Sequence, residues 1–380
     1  MFCVSTQKKA MILFSTIVLF GYTLIISVLI YGMGKFKLEK STRLKPETKF
    51  SVIIPFRNEE KNILSLVESL KNLIYPSELF EIILVDDNSE DNSFNKLSEL
   101  SEILFQGQNF TLLNSKGSGK KEALTQAINH ANNKWIVTTD ADCIVPKNWL
   151  NEFDNFIRNK NTNFIAGPVV LNGKNSFFNA FQKLDFMSLT GTKIGSFGIS
   201  NPLLCNGANL CYSKKIFQEV HGFEGNEQIA SGDDVFLLQK MFKKNPEQVH
   251  YLHSSEAIVT TKPVKNLTNL ISQRKRWAAK TSSISNNLTK SLGVCVLITN
   301  LTFIALLIQS KTYSIPLCVF ITIKSTIDFI LLRKVAIFTK QKETLRYYLP
   351  SIFLHTVFTS FIAIYSIFGG YTWKNRKYKR

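Results

Sequence analysis

The six cysteines form no C-x-x-C pair and no spacing typical of a disulfide framework, so redox motifs and disulfide-stapled scaffolds are excluded and free thiols in a reducing compartment are expected. Neither nucleotide-binding glycine fingerprint occurs. No G-x-G-x-x-G follows the first predicted strand, and "GSGKKEAL" (117–124) supplies glycines and lysines without the Walker spacing. Acidic residues are the scarcer charge, 28 against 46 basic ones, which gives a net charge of +18 over 380 residues. That excess does not read as nucleic-acid binding, because it concentrates beside apolar segments: Lys35, Lys37, Lys40 and Arg43; Arg333, Lys334, Lys340, Lys342 and Arg346; Lys374, Arg376, Lys377, Lys379 and Arg380. Such placement fits the positive-inside bias and attraction to anionic headgroups.

Long apolar runs are absent between Lys35 and about Ser291, and present on both sides of it. Residues 10–33, "AMILFSTIVLFGYTLIISVLIYGM", carry no charge, are long enough to cross a bilayer core and lack a small-residue cleavage pattern. They predict an uncleaved anchor over 1–34. Three further candidate spans are 292–308, 313–332 and 348–370, within a membrane region of 291–371 followed by a basic tail at 372–380. Three crossings after a cytoplasmic middle domain place that tail outside, against the charge rule, so either one segment does not cross or the rule fails. Lys324 and Asp328, four apart in one span, are expected to pair, with contact to a polar substrate as the alternative.

The middle region, 49–261, alternates strand and helix. "KFSVIIPF", "FEIILVDDNS", "NFTLLN" and "KWIVTTDAD" read as strands, with "NEEKNILSLVESLKNL", "DNSFNKLSEL" and "KKEALTQAINHAN" as helices between them. This predicts an α/β fold, a mostly parallel Rossmann-like sheet covered on both faces, with ligands at the carboxyl ends of its strands. Those ends are polar: Arg57, Asn58 and Glu59; Asp86 and Asp87; Asp140 and Asp142. Two carboxylates as close as Asp140 and Asp142 repel, and keeping both ionised away from water requires a cation or hydrogen-bond donors. A strand ending in a solvated turn explains an isolated D-x-D equally well. His250 and His253 in "HYLH" fall on opposite faces of a predicted strand and read as structural.

Taken in order, "SVIIPFRNEE", "LVDDNSEDNS", "GKKEAL", "TTDADC", "NGANLCYSKKIFQEVHGF", "SGDDVFLLQKM" and "QRKRW" resemble the inverting family 2 glycosyltransferases with the A-type nucleotide-sugar fold, in their membrane-integrated branch. The resemblance runs from about Phe50 to Trp277. It implies a UDP-sugar donor, with Pro55, Arg57, Glu59, Asp87, Lys120 and Asp140 on the nucleotide-sugar, Asp87 on the uracil and Lys120 near the phosphates. It implies Asp142 as the ligand of Mg2+ or Mn2+ on the diphosphate, and Asp234 as catalytic base. Gln273, Arg276 and Trp277 complete the catalytic set: an indole stacks on a sugar, an arginine pairs with diphosphate, an amide reaches a hydroxyl.

Plain alternatives stand beside these roles. Asp233 or Asp234 serves equally as a helix N-cap, Lys121 as a solvated helix residue, and 262–290 as an amphipathic helix lying on the bilayer. Asp233 replaces the family's usual glutamate, which leaves its own role open.

The expected activity is metal-dependent, inverting transfer of a hexosyl or N-acetylhexosaminyl unit to a lipid or lipid-linked acceptor. The expected place is the plasma (inner) membrane, with the catalytic domain cytoplasmic. A processive polysaccharide synthase of the chitin, hyaluronan or poly-N-acetylglucosamine kind is the alternative. Two non-enzyme readings are a membrane scaffold with a decayed transferase domain and an anionic-lipid-binding protein.

Overall fold

The computed structural model describes residues 2–36, 44–104, 109–225, 232–283, 286–368, 370–373 and 376–378. The basic positions Lys37, Lys40, Arg43, Lys374, Lys379 and Arg380 lie outside the described residues. Contacts divide the chain into two units: Met1–Phe36, Lys174–Leu203 and Val264–Gly369 in one; Lys37–Gly173, Leu204–Pro263 and Gly370–Arg380 in the other.

The second unit is built on a seven-stranded sheet. Its elements are β1 (Phe50–Phe56), α2 (Ile63–Lys71), β2 (Phe80–Asp86), α3 (Ser93–Leu104), β3 (Asn109–Asn114), α4 (Lys120–His130), β4 (Trp135–Thr138), β5 (Cys143–Ile144), α5 (Trp149–Asn159), β6 (Phe164–Ala166), β7 (Val169–Leu171), β8 (Leu210–Ser213), α7 (Lys214–Glu219), α8 (Asp233–Lys244), β9 (Val249–Tyr251) and β10 (Val259–Thr261). The order is β3-β2-β1-β4-β8-β6-β9, with only β8 antiparallel to its neighbours. β5, β10 and β7 form a second, small sheet.

Every residue of β1 and β2 is buried, as continuous Val, Ile, Leu and Phe runs require when helices cover both faces. The register sets Phe56 beside Asp86 and Asp86 beside Asn114, so the polar residues that follow each strand emerge along one edge. At the opposite end Glu81, 8% exposed, is held by Ser51 Oγ at 2.5 Å, Asn132 N at 2.6 Å and Asn132 Nδ2 at 2.9 Å. That network pins the starts of β1 and β2 to the turn before β4. The expected strand "KWIVTTDAD" is shorter than its apolar pattern: β4 stops at Thr138, and Thr139 to Asp142 form the turn beyond it.

The first unit is helical: α1 (Phe2–Gly34), α6 (Phe177–Gly198), α9 (Leu267–Ser283), α10 (Asn287–Ile308), α11 (Ser314–Phe338) and α12 (Tyr348–Tyr365). Four stretches are long and apolar enough to cross a membrane: Thr6–Gly34, Asn287–Ile308, Ser314–Phe338 and Lys342–Tyr365. The Lys324–Asp328 pair forms at 2.7 Å, and Tyr22 Oη donates to the other Asp328 oxygen at 2.5 Å. The basic tail that follows pairs β11 (Tyr371–Trp373) with β12 (Arg376–Tyr378) in antiparallel register.

Helix α6 joins the two regions of the sequence in an unexpected way. It lies inside the expected 49–261 segment yet belongs to the helical unit. The reason is backbone packing: a Cβ at Gly195 would stand 2.5 Å from the Leu29 carbonyl oxygen, and one at Gly198 2.0 Å from that of Gly32. Glycine lets α6 approach α1 at a distance any side chain would forbid. The amphipathic region expected at 262–290 is α9, and the next helix starts at Asn287, before the predicted 291.

Candidate active site

β1 ends at Phe56 and hands over to Arg57, 6% exposed. Its guanidinium donates to the Asp87 carbonyl at 2.8 Å, to the Asn88 carbonyl and to Glu90 Oε1 at 2.6 Å. Asn58 N donates to Ser89 Oγ at 3.0 Å, Glu90 N to Asn58 Oδ1 at 2.7 Å and Glu59 N to Ser93 Oγ at 2.8 Å. Arg57 and Glu59 thus lace the loop after β1 to the loop after β2. Asp87, 2% exposed, receives the Gly119 N–H on Oδ1 at 2.7 Å, so its carboxylate fastens the turn that opens α4. Gly119 has φ 106°, a conformation that favours glycine, and it delivers Lys120 as the first residue of the helix.

Lys120 is the hub. Its Nζ lies 2.6 Å from Asp140 Oδ1 and 3.6 Å from Asp233 Oδ2. Burial by itself would lower the ammonium pKa, but Asp140 and Asp233 outweigh it, Asp234 adds to them, and the net shift is upward. Gly232, at φ 99°, caps α8, so Asp233 and Asp234 are its first two residues rather than its N-cap. Both carboxylates still lie in the first turn, where the helix dipole favours negative charge. Asp234 Oδ2 receives the Gly207 N–H at 3.2 Å, its Oδ1 receives the Val235 N–H at 2.9 Å, and Thr138 Oγ1 donates to the Gly207 carbonyl at 2.9 Å. One cavity is lined by Pro55, Lys120, Thr138, Gly207, Asp233 and Asp234, with Tyr212 and Phe223 on its apolar side.

The structure therefore brings Pro55, Lys120, Asp140 and Asp234 together, with Asp87 behind Gly119. Asp142 lies in the turn after β4. Its side chain is exposed, close to the Cys143 thiol at 3.5 Å, and its carbonyl receives Thr261 Oγ1 at 3.5 Å. Among the described residues no three His, Cys, Asp or Glu side chains converge to hold a metal by themselves. A hard carboxylate such as Asp142 suits Mg2+ or Mn2+ when the remaining ligands are phosphate oxygens and water, so the residues present fit a cation shared with a diphosphate. The strand expected to carry both His250 and His253 ends at Tyr251, so His253 lies beyond it. His250 Nε2 meets the Asn161 carbonyl at 3.1 Å.

Gln273, Arg276 and Trp277 lie half-buried on α9 in the helical unit. Three neighbours that sequence reasoning passed over surround them. Arg274 Nε pairs with Asp185 Oδ2 at 2.6 Å, His355 Nε2 lies 3.1 Å from Asp185 Oδ1, and the Arg274 guanidinium sits 4.2 Å from the Trp277 ring centre. No local pattern marks Asp185 or His355, because their partners are 89 and 170 residues away. In the first unit's counterpart, Asp233 was legible only as a shortened family acid, and its place beside Lys120 required the fold.

Residues 51–220 match the family model of Glycosyl transferase family 2. Over that segment the chain is similar to the family 2 glycosyltransferases. It is 30% identical over 166 residues to the undecaprenyl-phosphate 4-deoxy-4-formamido-L-arabinose transferase of Serratia proteamaculans, a match covering 41% of this chain and 49% of that protein. It is 21% identical over 280 residues to the poly-beta-1,6-N-acetyl-D-glucosamine synthase of Staphylococcus epidermidis, covering 70% of this chain and 64% of that one. The matches to the first curated relatives span 24% to 49% of their lengths. Among solved structures, the mannosyltransferase PcManGT from Pyrobaculum calidifontis, in complex with GDP-Man and Mn2+, shares the fold. It has a TM-score of 0.59 at 16% identity, over 95% of this chain and 99% of that one.

Proposed function

We propose that this chain is a membrane-bound, inverting glycosyltransferase that moves a hexosyl or N-acetylhexosaminyl unit from a UDP-sugar to a hydroxyl of a lipid or lipid-linked acceptor. The catalytic unit would face the cytoplasm at the plasma (inner) membrane. The observation that carries the reading is the Lys120 hub, which gathers Asp140, Asp233 and Asp234 at the carboxyl ends of a parallel sheet. Ligands of such sheets bind there.

In this reading Asp234 takes the acceptor proton as the acceptor oxygen bonds to the anomeric carbon and the bond from that carbon to the diphosphate breaks on the opposite face. The Gly207 and Val235 N–H groups hold the carboxylate in one orientation for that transfer. Lys120 lies where it would meet the phosphates, and Arg57 keeps the Asp87 turn in place behind the nucleotide. Asp87 itself would reach the uracil only from the edge that does not face Gly119. Asp142 would hold Mg2+ or Mn2+. Such a cation, when bound, neutralises charge building on the departing diphosphate. The resemblance gives Gln273, Arg276 and Trp277 of α9 the hydroxyl, diphosphate and sugar contacts. The relatives with lipid-linked substrates favour a lipid acceptor.

The test is UDP release by the full chain in lipid nanodiscs across a panel of UDP-sugars, with and without Mn2+. Asp142→Ala and Asp234→Asn are expected to lose about 100-fold or more of the turnover, the scale typical of a catalytic base or metal ligand. Normal turnover of Asp142→Ala at ordinary metal concentration overturns the assignment. The match to a polysaccharide synthase over 70% of this chain favours processive transfer as a second reading. A product ladder supports that reading, and a single lipid-soluble product supports the first.

A further inference from the structure

We propose that Asp185 and His355 are positioning residues for the Gln273–Trp277 motif, acting through Arg274. The inference rests on the proposed function above, in which that motif touches the substrates.

Asp185 is in the middle of α6, 6% exposed, and both its oxygens are engaged: Oδ2 by Arg274 Nε at 2.6 Å and Oδ1 by His355 Nε2 at 3.1 Å. Arg274, also 6% exposed, directs Nη1 to Gln273 Oε1 at 2.5 Å and holds its guanidinium carbon over the Trp277 ring, 4.2 Å from the ring centre. Phe186, one residue beyond Asp185, has its ring 6.0 Å from that of Trp277. His355 comes from α12, within the last candidate membrane span, and packs against Phe181 of α6 at 6.1 Å.

A buried ion pair is a poor device for stability, because apolar residues of the same volume hold helices together at least as well. What it supplies is direction. The arginine fork is planar and rigid, so a carboxylate fixed on Nε sets the plane of the whole group. Here that plane decides two things about the motif. It determines the face on which the indole of Trp277 is stacked, and by taking Gln273 Oε1 it leaves the amide NH2 as the end of Gln273 turned to other partners. Asp185 and His355 thus act on two of the three motif residues without touching substrate themselves.

The full chain in lipid nanodiscs, labelled with 5-fluorotryptophan, reports this directly. Its four tryptophans give separate fluorine signals, and Trp277→Phe identifies one. Asp185→Asn is expected to move the Trp277 signal and leave those of Trp135 and Trp149 in place. With the UDP-sugar found by the panel above, Asp185→Asn is expected to lower kcat about tenfold with the donor KM within about twofold. The double variant with Trp277→Ala is expected to lose clearly less than the product of the two single losses, because part of the action of Asp185 passes through Trp277 and part through Gln273. An unmoved Trp277 signal, or losses that multiply in the double variant, overturns the inference. Should Asp185→Asn fail to fold, His355→Gln releases one arm only, and an unmoved Trp277 signal there overturns it equally. Full activity of Trp277→Ala sinks the motif's role in the reaction. Full activity of Asp185→Asn beside an inactive Trp277→Ala sinks the positioning role alone.

Discussion

Replacing Lys120 by methionine keeps most of the side-chain volume and removes a charge that pairs with both Asp140 and Asp233. At 2.6 Å the Lys120–Asp140 attraction is about 6 kcal/mol for an effective dielectric of 20 and below 2 kcal/mol in bulk water. The second contact, at 3.6 Å, is weaker in proportion. Lys120 is 19% exposed and Asp140 35%, so the pair lies between a solvated one and a buried one. Water therefore screens much of the gross attraction, and desolvation of the ammonium offsets part of the remainder. The net loss expected is about 1–3 kcal/mol, above the typical exposed pair and below the buried one. For a unit of this size that is a fall of several degrees in Tm.

The sign with pH follows from the raised Lys120 pKa. A cation whose folded pKa lies above its ordinary 10.5 contributes fully below that value, and the contribution is lost only as pH rises through the folded pKa. The Tm difference between wild type and Lys120→Met is therefore expected to be constant from roughly pH 6 to 9. Thermal melting of the full chain, with Lys120→Arg as the charge-preserving control, measures it. Arginine should recover most of the stability, while sugar transfer stays impaired if Lys120 meets the phosphates as proposed, because the broader head displaces the ammonium. A methionine variant that melts at or above the wild-type temperature, or methionine and arginine variants that melt alike, refutes the hub.

Three further outcomes follow from the packing. Asn209 is fully buried, accepts the Trp149 indole N–H at 2.9 Å and donates to the carbonyls of Pro168 and Ala257 at 2.8 and 2.9 Å. Asn209→Ala should cost about 3 kcal/mol or more, and denaturant unfolding that shows less than about 1 kcal/mol contradicts the account. Gly195→Ala drives a methyl to 2.5 Å from the Leu29 carbonyl, so α1 must shift; protease resistance of the helical unit should fall, by about 1–3 kcal/mol of overpacking, and an unchanged digestion profile contradicts the close approach. Burial holds the His253 pKa down to about 4 from an ordinary 6.5, so stability is full above pH 6.5 and falls by a few kcal/mol as pH drops toward 4. His253→Gln should flatten that slope, and an equal slope in both proteins refutes the assignment.

Much of this was legible in the sequence because it rests on short-range patterns. Buried parallel strands read as unbroken apolar runs, and β1 to β4 appear where "SVIIPF", "EIILVD", "TLLN" and "WIVT" place them. Helices long and apolar enough to cross a membrane read as long apolar runs, and the four here stand out in that way, although Ser314–Phe338 carries Lys324 and Asp328 within its run. Patterns of this kind fail where a residue's role is set by something far along the chain. Helix α6 carries apolar and polar residues at no obvious period, and nothing local marks Gly195 and Gly198 as the surface on which α1 lies.

The same distinction separates the two halves of the candidate chemistry. Asp140, Asp142, Lys120 and Asp234 announce themselves because each stands beside an element boundary, a strand end or a helix start that local sequence already marks. Asp185 sits mid-helix, where an acid normally signals a solvent-facing position, and only a partner 89 residues later reverses that reading. A buried carboxylate in a helix next to apolar spans is costly, so its presence requires a cation delivered by another element. The pairing with Arg274 is the answer to that requirement. Since Arg274 falls inside "QRKRW", the cost of burying Asp185 is met by the same segment whose geometry it sets.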